Sequence, residues 1–197
     1  MLTKLTGVIL VTALLCSSPV YADGGAKSLG GISFTVPAGW KETPPSSSMR
    51  AFQFEIPGAN VPGHPGESLT LSSGTPRTDQ AAGQKAEMAV FYFGPGMGGG
   101  IQANVARWKG QFKTLTAEEV EERQQGAVKV TIVSLKGTFQ PSGGPMMTAE
   151  GAAIENSAVL AAIAEGTQGS IFFKLTGPGV VLAEARPGFD SLVASLK

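Results

Sequence analysis

The glycine-rich segment Gly94–Gly100 comes closest to a known chemical motif. It runs Gly-Pro-Gly-Met-Gly-Gly-Gly, so Gly94, Gly96 and Gly99 match the G-x-G-x-x-G spacing of dinucleotide-binding loops. A predicted strand precedes the segment and a predicted helix follows it, as such a loop requires. We nevertheless reject dinucleotide binding, because Pro95 has no amide hydrogen to offer a phosphate and the neighbouring elements do not form a βαβ unit.

A smaller ligand would suit the same segment better. The backbone amides of Gly98, Gly99 and Gly100 would lie at the positive end of the following helix, where a phosphate or a carboxylate can bind. Asn104 and Arg107 complete this candidate anion or ligand site, although Arg107 would have to turn back towards the helix N-terminus. The simpler interpretation is a tight strand-to-helix connection that needs positive φ and little side-chain bulk. The sequence leaves both interpretations open.

The other residues with chemical potential do not form a catalytic or metal-binding set. The chain has one His and one Cys, and His64 lies in a Pro/Gly-rich stretch with no nucleophile motif beside it. A transition-metal site there would need carboxylates alone as its other ligands. Glutamates occupy four of the five positions 118–122 but lack the spacing of a calcium loop, so we expect a solvated acidic edge balanced by Arg123 and Lys129. The sequence therefore predicts no catalytic residues, no metal site and no cofactor.

Composition narrows the class of protein further. The 197 residues include 15 basic and 15 acidic side chains, and this zero net charge gives no field that would attract nucleic acid or an anionic membrane. Hydrophobic residues make up 42% of the chain, which is enough for a packed core and too many for a disordered chain. The length fits one domain. We therefore expect a folded protein that does not bind nucleic acid.

Residues 1–22 have the pattern of a signal peptide. A single Lys precedes the apolar run Gly7–Cys16, small or polar residues follow, and Val20 and Ala22 supply the small residues before a cleavage site after Ala22. The apolar run is too short to span a bilayer, and no later stretch is longer. Lipid anchoring at Cys16 is disfavoured, because Leu15 stands where a lipoprotein signal needs a small residue. We expect an exported protein, periplasmic or extracellular, without a transmembrane segment; its oligomeric state stays open.

The mature chain is predicted to have a flexible lead-in at 23–30 and one domain at 31–197. Apolar residues alternate with polar ones, or form short two-faced runs, in the manner of strands. Such strands are predicted at Gly31–Val36, Arg50–Ile56, Ser68–Leu71, Ala86–Phe93, Val128–Phe139, Ala158–Ala164 and Ile171–Leu175. The last two are expected to form a hairpin through Gly166–Gly169.

Two helices are predicted from a spacing of 3.6 residues. The first covers Ile101–Phe112, and the second covers Val180–Leu196 with a possible interruption at Pro187-Gly188. The segment Leu115–Arg123 is ambiguous, because Thr116 and Glu119 would fit a helix capping box but no apolar face follows. The predicted order of elements is several strands, a helix, more strands and a closing helix. This order predicts an α+β fold with a mainly antiparallel sheet covered by helices, an α/β/α sandwich.

Several segments resemble a known family. The opening Gly31–Trp40 is similar to the start of PsbP-type domains, where a strand runs into Pro-x-Gly-Trp, and the close at Ile171–Leu175 and Phe189–Leu196 resembles theirs. The blocks Val90–Gly96 and Ala103–Phe112 resemble a group of exported bacterial proteins. The resemblance implies the PsbP-like α/β/α sandwich, within a superfamily that also contains Mog-type and DcrB-like proteins.

The functions of that superfamily suggest binding or assembly rather than catalysis. The expected function is thus an exported, non-enzymatic domain that binds a protein or an envelope component. The alternative is a small-ligand or anion binder, or a weak hydrolase, that uses the Gly94–Gly100 loop. No binding residues of the family map onto this chain, so the resemblance implies a fold and no site.

Overall fold

The structure is a computed structural model that describes residues 25–58, 84–140 and 152–197. The predicted signal peptide, His64 and the predicted strand Ser68–Leu71 lie outside these residues, and so does Cys16. Among the described residues, no helix is both long and apolar enough to cross a membrane.

Nine strands and two helices follow one another along the described chain. In order they are β1 (Ala26–Leu29), β2 (Ile32–Thr35), β3 (Lys41–Thr43), β4 (Arg50–Pro57), β5 (Lys85–Tyr92), α1 (Ile101–Lys109), β6 (Phe112–Gln125), β7 (Val128–Phe139), β8 (Ile154–Gly166), β9 (Gly169–Pro178) and α2 (Gly179–Ala194). This content is the α+β class that the sequence predicts.

Seven of the strands form one antiparallel sheet in the order β3-β4-β5-β9-β8-β7-β6. Strands β1 and β2 form a separate antiparallel hairpin. The hairpin and α2 lie on one face of the sheet, which we call the α2 face, and α1 lies on the other, the α1 face. Within the described residues each face carries a single helix, so this part of the sandwich is only partly covered by helices.

The larger part of the core lies on the α2 face. Phe54, Met88 and Phe173 from the sheet pack there with Phe189 of α2, and the rings of Phe34 and Phe173 meet edge to face with centroids 5.0 Å apart. A smaller cluster lies on the α1 face. Its buried members are Val105, Trp108, Phe112, Val133, Leu135, Val159, Ala161, Ile163 and Phe172. The central strands are therefore buried on both faces, which explains their continuous apolar sequences.

Most of the predicted elements are confirmed within one to three residues. The hairpin through Gly166–Gly169 is present, with Gly166 paired to Gly169. Ile132 and Val133 are both buried in a continuous register, so burial on both faces and not a bulge explains the slip in their alternation. The lead-in expected at 23–30 contains a strand, β1, since Ala26–Leu29 pairs with β2.

The largest difference from the sequence prediction lies between residues 110 and 125. Gly110 ends α1, so Phe112 belongs to β6 and not to the predicted helix, although its ring still packs in the α1-face cluster. The ambiguous segment Leu115–Arg123 is strand throughout, so the capping-box interpretation is wrong. Pairing with β7 along its whole length holds this segment in strand form.

Helix α2 continues through Pro187 without the interruption that the sequence suggested. Proline removes one N–H from a helix, so the carbonyl of Ala183 lacks its usual donor four residues later. Burial of Leu182, Phe189 and Leu192 on both sides of Pro187 holds the helix against the sheet.

Candidate functional site

The predicted Gly94–Gly100 loop is organised by the side chain of Asn104. This residue is buried, and its Nδ2 donates to the carbonyl oxygens of Gly98, Gly99 and Gly100 at 2.9, 3.3 and 3.0 Å. Its Oδ1 accepts a hydrogen bond of 3.0 Å from Arg107 Nη1. The structure therefore brings all five predicted residues together, but Asn104 and Arg107 are engaged in holding the loop.

Close packing explains why two of these positions are glycine. Gly98 has φ +91°, and a Cβ there would lie 2.7 Å from the ring of Phe172. Gly99 has φ +79°, which a side chain would disfavour. This matches the simpler interpretation of the sequence, a tight connection with positive φ and little bulk.

A cavity of about 440 Å³ lies between the loop and the β8–β9 turn. Gly99 and Gly100 line it, but so does the carboxylate-bearing Glu165. A negative charge on this wall opposes an anionic ligand, because like charges in a shared site repel.

A larger groove lies on the α2 face, between helix α2 and the outer strands β6 and β7. We call it the α2–β6 groove; it consists of two adjoining cavities of about 490 and 380 Å³ that share Lys136 and Gly179. It exists because α2 crosses the sheet over β8 and β9 and leaves that side of β6 and of Ser134–Thr138 in β7 uncovered, whereas Val130 and Ile132 of β7 are buried. Its floor and helix wall include Ala158, Leu160, Leu182 and Ala183.

Polar groups converge on this apolar floor. Ser134, Lys136 and Glu119 project from the sheet, and Arg186 projects from α2. Arg186 is held by Asp190, with Nε donating to Oδ2 at 3.0 Å. Lys136 is exposed and forms no ion pair with any of the residues described. The groove thus offers an apolar floor and charges of both signs: Lys136, which forms no ion pair with a described residue, and the carboxylates of Glu119 and Glu155.

The acidic run lies on β6, the outermost strand of the sheet. Glu121 pairs with Arg123 at 2.5 Å, Glu122 pairs with Lys129 at 3.0 Å, and Glu118 pairs with Lys109. The hydrogen bond and charge of Arg123 lower the pKa of Glu121 below its usual value. The predicted acidic edge balanced by Arg123 and Lys129 is confirmed.

A second polar cluster lies on the α1 face, and sequence reasoning did not single it out. On β4 and β5, Arg50 Nη1 donates to Glu87 Oε1 at 2.5 Å and to Gln53 Oε1 at 2.9 Å, while Gln53 Nε2 donates to Glu87 Oε2 at 2.8 Å. On the adjoining strand β9, Lys174 Nζ donates to Gln111 Oε1 at 2.6 Å. These five side chains form what we call the Lys174 cluster.

The environment of Lys174 favours its neutral form. Its pKa is lowered from 10.5 to about 8, mainly by burial and also by the charge of the nearby Arg50, while Glu87 acts in the opposite direction. The sequence carried one signal for this residue, since Lys174 is the only charged residue in the apolar strand Ile171–Leu175.

Comparison with solved structures shows a likeness of fold. The chain is similar to the solution structure of cyanobacterial PsbP (CyanoP) from Synechocystis sp. PCC 6803, with a TM-score of 0.49 and 12% sequence identity over 92% of this chain and 96% of that chain. No protein-family model matches the chain, and no curated protein does. A likeness of this size carries no argument about function, so the function is argued from the chain's own residues.

Proposed function

We propose that this protein is an exported, non-enzymatic binding domain that takes an extended segment of a partner protein in the α2–β6 groove. The observation that carries the proposal is the groove itself, two adjoining cavities of about 490 and 380 Å³ between helix α2 and the sheet. The largest concave site with an apolar floor and a few convergent polar groups is the default place for a ligand.

The size and shape of the groove favour a peptide segment. Along β7 it extends from Ser134 to Thr138, and along α2 from Gly179 to Arg186. These distances are roughly 10–13 Å at the rise of a strand or a helix, enough for about four extended residues. An apolar partner side chain would pack on Leu160 and Leu182.

Charge complementarity selects the polar part of the partner. Lys136 lines both cavities and forms no ion pair with a described carboxylate, whereas Glu119 lines the larger cavity and Glu155 the smaller one. Since an opposite charge at this position steers association and fixes register, the bound segment should carry an acidic residue next to its apolar one.

Peptide selection tests this proposal directly. Peptides selected from a random library against the folded domain should be rich in apolar and acidic residues. The variant Ala183→Trp places a large ring in the groove at an exposed helix position, and should weaken the binding of those peptides by about tenfold or more. The matched control Ala194→Trp makes the same change at an exposed position of the same helix, outside the groove, and should bind as the wild type does.

Two results would count against the groove as the binding site. Selected peptides that bind Ala183→Trp as tightly as the wild type must bind elsewhere. Failure of the library to yield any peptide, with a folded domain, would remove the support for a linear protein partner.

The alternative is that the domain binds a small ligand or an anion at the Gly94–Gly100 loop, or hydrolyses one weakly there. The cavity of about 440 Å³ beside Gly99 and Gly100 favours this alternative, whereas Glu165 on its wall disfavours an anion. Thermal unfolding with inorganic phosphate separates the two functions, since a ligand at 100 times its dissociation constant stabilises a protein by about 2.7 kcal/mol.

The proposed location and kinship rest on the sequence. The pattern of residues 1–22 supports export, and the partner would then be a protein of the envelope or the exterior. The Pro37-Ala38-Gly39-Trp40 turn and the closing helix support a PsbP-like domain within the wider Mog-type and DcrB-like superfamily.

A further inference from the structure

Lys174 occupies an unusual position for a lysine, on a central strand of the sheet. Its directly opposed neighbours on the two adjacent strands are Ala89 and Ala161, both buried. Two small side chains leave a slot in which the long lysine chain runs along the sheet surface. The side chain stays partly exposed, so a small molecule in solution can reach it.

The amine is held by a neutral group and not by a counter-ion. Nζ donates to Gln111 Oε1 at 2.6 Å and forms no ion pair with any carboxylate of the described residues. Glu87, the nearest acid that acts on it, is occupied by Arg50 and Gln53. On strand β8 the residue opposite Lys174 is Ala161, which carries no charge. The charged groups that act on the amine are therefore Arg50 and Glu87.

We propose that the ε-amine of Lys174 is a selective covalent attachment site for small aldehydes and ketones, which it binds as imines. This inference concerns the α1 face and does not depend on the proposed function of the α2–β6 groove. It assigns a chemical role to a half-buried nucleophile that peptide binding leaves unused.

The chemistry needs only a neutral amine with a free lone pair. One N–H of the amine donates to Gln111, which leaves the nitrogen lone pair available to add to the carbonyl carbon. The carbon–oxygen π electrons move to oxygen, which takes up the proton lost by nitrogen and gives a carbinolamine. Loss of water then forms the C=N bond, so that amine and carbonyl compound become imine and water without any oxidant or reductant.

The low basicity of Lys174 determines how much faster it reacts than an ordinary lysine. At about pH 7.5 an amine with a pKa of about 8 is roughly a quarter neutral, whereas an ordinary lysine is about 0.1% neutral. A less basic amine is also a weaker nucleophile, by analogy with thiols, so most of this two-hundredfold advantage in neutral amine is offset. We expect Lys174 to react about tenfold faster than an exposed lysine.

Reductive trapping measures this reactivity residue by residue. The folded protein is treated briefly with acetaldehyde and cyanoborohydride at several pH values, and mass spectrometry of its peptides gives the ethylation rate of every lysine. Lys136 is the internal control, because it is exposed on the same sheet. The rate at Lys174 should exceed that at Lys136 about tenfold near pH 7.5 and level off above about pH 8.

Two charge variants test whether the cluster sets the reactivity. Arg50→Gln removes the cation that lowers the pKa of Lys174, so trapping should slow by about twofold or more. Glu87→Gln removes the acid that raises it, so trapping should accelerate.

Equal rates at Lys174 and Lys136 in the folded protein would overturn the proposal. So would a fast Lys174 that neither variant changes, or one that stays fast after unfolding in urea. Each variant's near-UV circular dichroism confirms that the protein labelled is folded.

Discussion

Replacement of Asn104 should destabilise the protein more than its polar nature suggests. The buried amide donates to three loop carbonyls between 2.9 and 3.3 Å. A neutral hydrogen bond contributes about 1 kcal/mol, and a buried acceptor left unpaired costs about 1–3 kcal/mol. Asn104→Ala should therefore lower the free energy of unfolding by about 2–4 kcal/mol, measured by urea denaturation with the slope of the transition unchanged.

Two further variants separate hydrogen bonding from packing. Asn104→Asp keeps the side-chain volume but replaces the donor with a carboxylate that faces the same carbonyl oxygens, so at neutral pH it should destabilise at least as much as alanine. Arg107→Ala removes the single 3.0 Å hydrogen bond to Asn104 Oδ1; since Arg107 is exposed, water can replace its donor, and the cost should be about 0.5–1 kcal/mol. If Asn104→Ala and Asn104→Asp both unfold within about 0.5 kcal/mol of the wild type, the loop is not held by this side chain and the reasoning fails.

Two more predictions concern the sheet. A Cβ at Gly137 would lie 2.0 Å from the carbonyl oxygen of Thr114, so Gly137→Ala should push β6 away from β7 and lower the free energy of unfolding in urea by about 3 kcal/mol or more. The control Gly126→Ala, with open space around the added Cβ, should lower it by about 1 kcal/mol. Equal losses for the two variants would contradict this reasoning. Lys174 loses its proton near pH 8 in the folded protein but at about 10.5 when unfolded, so between these values the unfolded state binds more protons and this residue makes stability rise with pH. Lys174→Met should abolish that rise, and an unchanged pH profile would show that Lys174 is not its source.

The elements that the sequence predicted well are those that bury a regular pattern. Strands β7, β8 and β9 carry apolar residues in short runs because both of their faces are covered, as at Ile132 and Val133. Alternation in Arg50–Ile56 likewise identified β4, with Phe54 and Ile56 buried.

Strand β6 could not be identified in this way because it buries almost nothing. Most of its side chains between Thr116 and Gln124 are exposed or half-exposed, so no period of two is imposed on them. Its strand form depends on hydrogen bonding to β7, a tertiary effect that local spacing does not encode. Helix α1 ended earlier than predicted for a similar reason, since Phe112 continues the helical stripe but reaches the same cluster from a strand.

The candidate sites also differ in how far the sequence could predict them. The Gly94–Gly100 loop is contiguous in sequence, so its residues were found together. The α2–β6 groove draws Ala117, Lys136 and Arg186 from three separate elements. The Lys174 cluster draws on three strands and the α1–β6 connection, so only the sheet order and the position of α2 reveal these sites.

A map of backbone amide chemical shifts during titration with a library-selected peptide tests the central claim most directly. Binding in the α2–β6 groove should shift the amides of Ser134–Thr138 and Gly179–Arg186 and leave Gly98–Gly100 unchanged. Shifts confined to Gly98–Gly100, or to the α1 face, would contradict the account, since the peptide would then occupy a different site.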